Sequence, residues 1–332
     1  MYMLIDALSL LRWSCQSCTG PKGSFHDPTT GDPIVNTTKF PSLAEMVAHA
    51  TALGLSSGFY GDNCQCHAGE RQVGVTHYAE DVALTLEASD QPIRDRTDLT
   101  TNLLWVFVRV KGTSNDLFCG WYFQAGFAGT KIDSCGNQRD MTVYAELFAA
   151  ANRTVLLESC GNGPAGTEPK TDLPPQASYL EMLKDTCPWS LYRVSLDLGP
   201  TFLSTVYNIN RGLPFLERGP GTVPLSRPGC WMYPDMMMVG VTTPRPDNHV
   251  PPMPHVDPNP MTPLEWRTHF AMWAVTSSPL ILGFDLTDKA RLRAAWPIIA
   301  NEEALAVSQS VRTSTRSPGR SNPPSLNHHF QA

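Results

Sequence analysis

Apolar residues along the chain gather in short runs that end in a polar or acidic residue, with longer amphipathic stretches between them. Seven runs stand out: Tyr2 to Asp6, Leu55 to Asp62, Thr130 to Asp133, Thr154 to Glu158, Leu191 to Asp197, Met236 to Val241 and Leu280 to Asp285. Short apolar runs alternating with helical patterns are the signature of a parallel sheet covered by helices. The helices carry their own punctuation. Ser42 and Glu45 form a capping box, Leu43, Met46, Val47, Ala50 and Leu53 make one stripe, and Gly54 closes it. Tyr78 to Leu86 is helical in pattern, Ser178 with Glu181 opens another helix, and Thr262-Pro263-Leu264-Glu265 starts one that runs toward Val275.

Seven strand-helix units in 332 residues predict an α/β fold of the (β/α)₈ TIM-barrel type. An open doubly wound sheet is less suitable, because no Gly-x-Gly-x-x-Gly follows an early strand. A barrel needs eight strands, so the pattern expects the first to be missing, lying before residue 1. Leu103 to Val110 reads as a strand but lies out of turn, within an expected insertion near residues 87–117. It is a filler for the open slot only by an awkward connection. Residues 311–332, rich in Ser, Arg, Pro and Asn, read as a disordered tail, which leaves residues 1–310 as one catalytic barrel.

With 42% hydrophobic and 17% charged residues the chain can bury a large core, which excludes a disordered protein. No apolar run approaches the roughly 18–20 residues that cross a bilayer, so no membrane partner is expected. The net charge of -6, with no basic stripe outside the tail, argues against nucleic acid. The start of the chain shows no secretory signal, yet Asn36-Thr37-Thr38 and Asn152-Arg153-Thr154 are glycosylation acceptors and make oxidised cysteines plausible. Cys15-x-x-Cys18 and Cys64-x-Cys66 have irregular spacing for zinc, and none of the nine histidines forms His-Glu-x-x-His, so no metal or organic cofactor is expected. Met236-Met237-Met238 reads as barrel core.

Catalytic groups of parallel barrels project from the carboxyl ends of strands, and the runs end in Asp6, Asp62, Asp133, Glu158, Asp197 and Asp285. Any one of them is equally at home as a helix cap or turn former. In Lys131-Ile132-Asp133 strand alternation puts Lys131 and Asp133 on one face, where a lysine can bind sugar hydroxyls and keep a carboxylate ionised. A structural ion pair fits that segment equally well. Arg193 and Asp197 share a face in the same way, either as a simple bridge or as the site of a second carboxylate. Two opposed carboxylates are what glycoside cleavage requires.

These segments resemble, in order, the α-galactosidase and α-N-acetylgalactosaminidase family of retaining glycoside hydrolases (glycoside hydrolase family 27). The resemblance rests on Thr38-Lys39-Phe40-Pro41-Ser42, Gly58-Phe59-Tyr60, Gly129 to Asp133, Cys187-Pro188-Trp189 and Arg193 to Asp197. It continues through Gly229 to Met236, Trp266 to Ala274, Ser278 to Leu286 and Asn301-Glu302-Glu303. It implies that Asp133 is the nucleophile and Asp197 the acid/base, with Asp6, Tyr60, Lys131, Arg193 and Asp235 lining the sugar pocket. The implied substrate is an α-galactoside, with α-N-acetylgalactosamine as the alternative sugar. The implied setting is secreted, lysosomal or vacuolar, and a homodimer is compatible with it. The resemblance also implies that Cys135 pairs with Cys64 or Cys66, and Cys160 with Cys187.

The chain departs from the family at several points. The family's first strand with its Gly-Trp-Asn motif finds no match along the chain, and the expectation is a barrel without the family's C-terminal β-sandwich. Ile5-Asp6-Ala7-Leu8 lacks a second aspartate, Trp231-Met232-Tyr233-Pro234-Asp235 keeps only the last acid of its motif, and Gly161-Asn162 replaces a sugar-reading residue. A catalytically silent sugar-binding barrel is therefore the rival expectation.

Overall fold

The computed structural model of the protein describes residues 2–5, 30–33, 35, 40–61, 76–86, 104–108, 127–133, 140–160, 187–216, 224–242 and 259–310. For 2–5, 60–61, 104–108 and 133 only the backbone is described. The strands are β1 (Tyr2–Ile5), β2 (Ser56–Gly61), β3 (Leu104–Val108), β4 (Gly129–Asp133), β5 (Leu156–Cys160), β6 (Leu191–Arg193), β7 (Trp231–Tyr233) and β8 (Leu280–Leu282). The helices are α1 (Leu43–Ala52), α2 (Tyr78–Leu86), α3 (Met141–Ala150), α4 (Phe202–Leu216), α5 (Pro263–Val275), α6 (Lys289–Ile299) and α7 (Glu302–Gln309).

The eight strands among the described residues form one parallel sheet in the order β7-β6-β5-β4-β2-β1-β3-β8. The two ends of that order meet. Met237, four residues past β7, makes a parallel bridge to Leu282 of β8. Its N–H donates to the Ile281 carbonyl and its carbonyl accepts from the Gly283 N–H. The seam tolerates no side chain at 283, where a Cβ would stand 2.7 Å from the Met237 carbonyl oxygen. The alternation expected of a closed parallel barrel is therefore present.

The out-of-turn segment is part of this sheet. β3 pairs with β1 on one side and β8 on the other, although its neighbours in sequence are β2 and β4. The eighth strand of the described sheet thus comes from inside the region expected to be an insertion.

Strand boundaries follow local chemistry more than hydropathy. The run Met236 to Val241 was expected to be a strand, but the strand lies earlier, at Trp231–Tyr233. Pro234 has no N–H for a ladder, so regular pairing stops there and Met237 alone resumes it. β5 begins later than the run from Thr154. Asn152, in the left-handed region at φ 52°, and the Arg153 N–H to Phe148 carbonyl bond turn the chain out of α3 first.

The caps are those the sequence advertises. The Ser42 hydroxyl accepts from the Glu45 N–H, and Thr262 with Glu265 forms a complete capping box. The helix expected at Ser178 and Glu181 lies outside the described residues, as do the tail and Asn36.

Strand alternation sorts the core into two layers. Ile132, Leu157, Tyr192 and Met232 face outward and pack with Tyr144 and Phe148 of α3 and Phe215 of α4. Leu280 and Leu282 face outward against Phe270 and Trp273 of α5 and Ile298 of α6. Leu191, Tyr233 and Ile281 point the other way and pack with Leu156, Trp231 and Met236 inside the barrel. The methionine run is core as expected, with Met237 and Met238 buried.

One disulfide differs from expectation. Cys187 is bonded to Cys230, 43 residues on, so the Cys160–Cys187 pair does not form. Topology explains the choice. Ser190 and Trp231 are hydrogen-bonded neighbours at the start of β6 and β7, which brings the residues just before those strands together. Cys160 is at the opposite, carboxyl end of β5. Cys64, Cys66 and Cys135 lie outside the described residues.

Candidate functional site

The inward positions of β4 to β7 change from apolar to charged toward the carboxyl ends of the strands. On β4 this position is Lys131, two residues before the strand-ending backbone of Asp133, on β5 Glu158 and Cys160, on β6 Arg193, and on β7 Tyr233 followed by Asp235. Register aligns Tyr60 with Lys131, Lys131 with Glu158, Asp133 with Cys160 and Arg193 with Tyr233. Residues from distant parts of the chain are thereby placed at matching heights.

Two groups of charges result. In the first, the Lys131 ammonium lies 3.0 Å from Glu158 Oε1 and donates to the Tyr233 hydroxyl at 3.4 Å. The Tyr233 hydroxyl in turn donates to Glu158 Oε1. All three side chains are buried. Burial, the largest single influence, disfavours the Lys131 ammonium, but Glu158 together with Cys160 and Asp235 outweighs it and holds the lysine above its ordinary value. Burial, reinforced by Glu158, pushes the Tyr233 phenol well above its usual range, so it stays a hydrogen-bond donor.

The second group stands at the rim. Arg193 Nη1 donates to Asp197 Oδ1 at 2.7 Å and lies 3.8 Å from Asp235 Oδ1. Asp197 keeps 38% of its side chain exposed, whereas Asp235 is buried. Asp235 accepts from the N–H groups of Leu198 at 2.6 Å and Met236 at 2.7 Å. Its own carbonyl accepts from the Trp273 indole at 2.8 Å. Burial raises the Asp235 carboxyl above its ordinary value despite the opposing pull of Arg193, and the nearby Asp197 charge adds to the rise.

A buried histidine braces the chain just beyond Asp235. His269 Nε2 accepts from the Met238 N–H at 3.1 Å, which places the ring proton on Nδ1, 3.0 Å from the Thr205 hydroxyl. Desolvation lowers its pKa to about 3, so the ring is neutral.

The structure therefore brings Lys131, Arg193, Asp197 and Asp235 together at one end of the barrel. The Arg193–Asp197 bridge, one of two readings open from the sequence, is formed. Asp133 and Tyr60 have their backbones at the same end, while Asp6 lies outside the described residues. Asp285, another strand-end acid, serves a turn by accepting from the Thr287 N–H and hydroxyl. Sequence reasoning counted Glu158 only among the strand-end acids and Tyr233 only as a lost family residue. The available signal was alternation: Glu158 and Cys160 repeat on β5 the spacing of Lys131 and Asp133 on β4. A cleft of about 340 Å³ lined by Phe148, Asn152, Arg153 and Pro188 lies on the flank near the amino end of β5, away from these charges.

No family model matches the chain. Among curated proteins it is similar to alpha-galactosidase 2 of Arabidopsis thaliana, 31% identical over 84 residues, or 25% of this chain and 16% of that protein. It is also similar to alpha-galactosidase A of Cellvibrio japonicus, 34% identical over 97 residues, or 29% of this chain and 19% of that protein. The matched segments thus span under a fifth of those relatives. Among solved structures, the α-galactosidase of Saccharomyces cerevisiae with raffinose superposes with a TM-score of 0.56 at 14% identity, covering 93% of this chain and 64% of that one. α-Galactosidase I of Mortierella vinacea gives 0.52 at 17% identity, covering 93% and 63%. The fold is that of these barrel enzymes.

Proposed function

We propose that the chain is a retaining glycoside hydrolase of the α-galactosidase family (glycoside hydrolase family 27), removing terminal α-linked galactose from oligosaccharides or glycoconjugates. The observation that carries this reading is the gathering of Lys131, Arg193, Asp197 and Asp235 at the carboxyl end of a parallel barrel, with Asp133 ending β4 at that same end. Asp133 attacks the anomeric carbon and forms a glycosyl-enzyme ester while Asp197 protonates the departing oxygen. Asp197 then takes a proton from water as that water releases the sugar. Lys131, Arg193, Asp235, Tyr60 and Asp6 hold the sugar hydroxyls. The half-exposed Asp197 suits a group that must exchange protons with solvent, and the buried Asp235 suits one that only binds.

In this reading β3 stands in the place of the family's first strand, closing the barrel between β8 and β1. The protein acts in a secreted, lysosomal or vacuolar setting, as a monomer or homodimer. The test is hydrolysis of nitrophenyl α-galactoside and nitrophenyl α-N-acetylgalactosaminide by the purified chain. Turnover of the first, abolished in Asp133→Asn with folding retained, is the expected result. Preference for the second selects the alternative sugar.

A second reading, a sugar-binding barrel without turnover, is favoured by Tyr233, which fills an interior position with a ring that ties up Lys131 and Glu158. Galactose binding without hydrolysis in the unmutated chain selects it.

A further inference from the structure

One buried carboxylate has no part in the chemistry above. Glu158 is wholly buried, and its Oε1 is held by Lys131 and Tyr233. Its Oε2 is buried with no hydrogen-bond partner among the described residues. A carboxylate removed from water is costly unless compensated, and apolar side chains of similar volume serve stability as well or better. The same interior already holds such side chains in Leu191 and Ile281. A half-satisfied acid within one strand spacing of the candidate site therefore points to the site rather than to packing.

The register says how it acts. Lys131 and Asp133 share a face of β4, and β5 sets Glu158 beside Lys131 and Cys160 beside Asp133. Glu158 lies one layer below the strand end, so its contact with the lysine is its route to the candidate site. We propose that Glu158 is a positioning residue for glycoside cleavage: with Tyr233 as a second strap, it fixes the Lys131 ammonium in charge and in place one layer beneath Asp133. The inference rests on the functional reading above. Among the described residues, the groups facing Lys131 are Glu158 and Cys160 from β5, Arg193 from β6, and Tyr233 and Asp235 from β7 and the turn after it. Glu158 is the strongest of these influences holding the lysine charged against its burial.

Glu158→Gln keeps the size and a hydrogen-bonding oxygen but removes the charge. The experiment compares kcat, KM and the pH profile of kcat/KM on nitrophenyl α-galactoside for the unmutated chain, E158Q and E158D, with near-ultraviolet circular dichroism to confirm folding. The expected result is a tenfold to hundredfold fall in kcat/KM for E158Q, with the alkaline limb moved at least one pH unit lower. E158D, which restores the charge, recovers the position of that limb. Activity within twofold and an unmoved limb in E158Q overturn the proposal. If E158Q fails to fold, E158D is read against the unmutated chain, where a fall in kcat/KM with an unmoved limb is expected and full activity overturns the proposal. A chain that binds galactose without turnover sinks the hydrolase reading alone. The inference is then read by calorimetric galactose affinity, which falls at least tenfold in E158Q if it holds and is unchanged if it does not. No turnover and no galactose binding overturn both.

Discussion

The barrel holds two clusters of paired charges, one in the interior and one at the rim, and they differ in what surrounds them. Lys131, Glu158 and Tyr233 are closed off from solvent, whereas Arg193 and Asp235 share a bridge with an Asp197 that is 38% exposed. The inner cluster has water on no side, so its members are held to one arrangement by one another and removing any of them strands the rest. The outer cluster has one acid against solvent and one sealed behind it, so a single guanidinium serves a group that can trade protons and a group that cannot. The contrast teaches that charge count does not tell the two acids apart; access to water does.

The sharpest way to break this comparison is at the exposed acid. Asp197→Asn is expected to lower turnover of an α-galactoside by roughly 10²–10⁴-fold. The same change moves the urea midpoint by less than about 1 kcal/mol of stability, because an exposed ion pair contributes little. A comparable loss in both measurements would make the rim bridge a structural element. Lys131→Met tests the inner cluster and is expected to cost about 3–5 kcal/mol of unfolding free energy, since it leaves Glu158 buried without its cation. Adding Glu158→Leu to that variant recovers most of the loss, which equilibrium denaturation reads directly.

The elements that carry the rim group are braced separately. The Cys187–Cys230 bond ties the residues ahead of β6 and β7, the strands bearing Arg193 and leading to Asp235. Cys187→Ser is expected to lower stability by about 3–4 kcal/mol from the loop it releases. Peptide mapping of the unreduced chain should return Cys187 with Cys230 and be unchanged in Cys160→Ser.

The smallest effect concerns acid. His269 stays neutral in the folded chain to about pH 3, whereas in the unfolded chain it takes up a proton near 6.5. Below 6.5 the unfolded state therefore binds more protons, and stability falls by about 1.4 kcal/mol per pH unit toward pH 3. His269→Gln removes that slope, which denaturation at pH 5 and pH 7 compares.

Much of this was legible along the chain. The caps at Ser42 and Thr262, the run Gly129 to Asp133 and the pairing of Arg193 with Asp197 depend on neighbours within a few residues, so their spacing alone announces them. The barrel class was legible too, because strand-helix alternation is a one-dimensional pattern.

What the sequence by itself determined is therefore local: the strand-helix alternation, the caps that start helices at Leu43 and Pro263, and the pairing of Arg193 with Asp197. Tertiary structure alone decided that Leu104–Val108 lies between β1 and β8, that Cys187 meets Cys230, and that Glu158 shares its charge with Lys131 and Tyr233. Each of these depends on which strands become neighbours and at what register, a choice made by burying the whole sheet at once. No run of adjacent residues carries that information, since side chains separated by 27 to 102 positions meet only after the barrel closes.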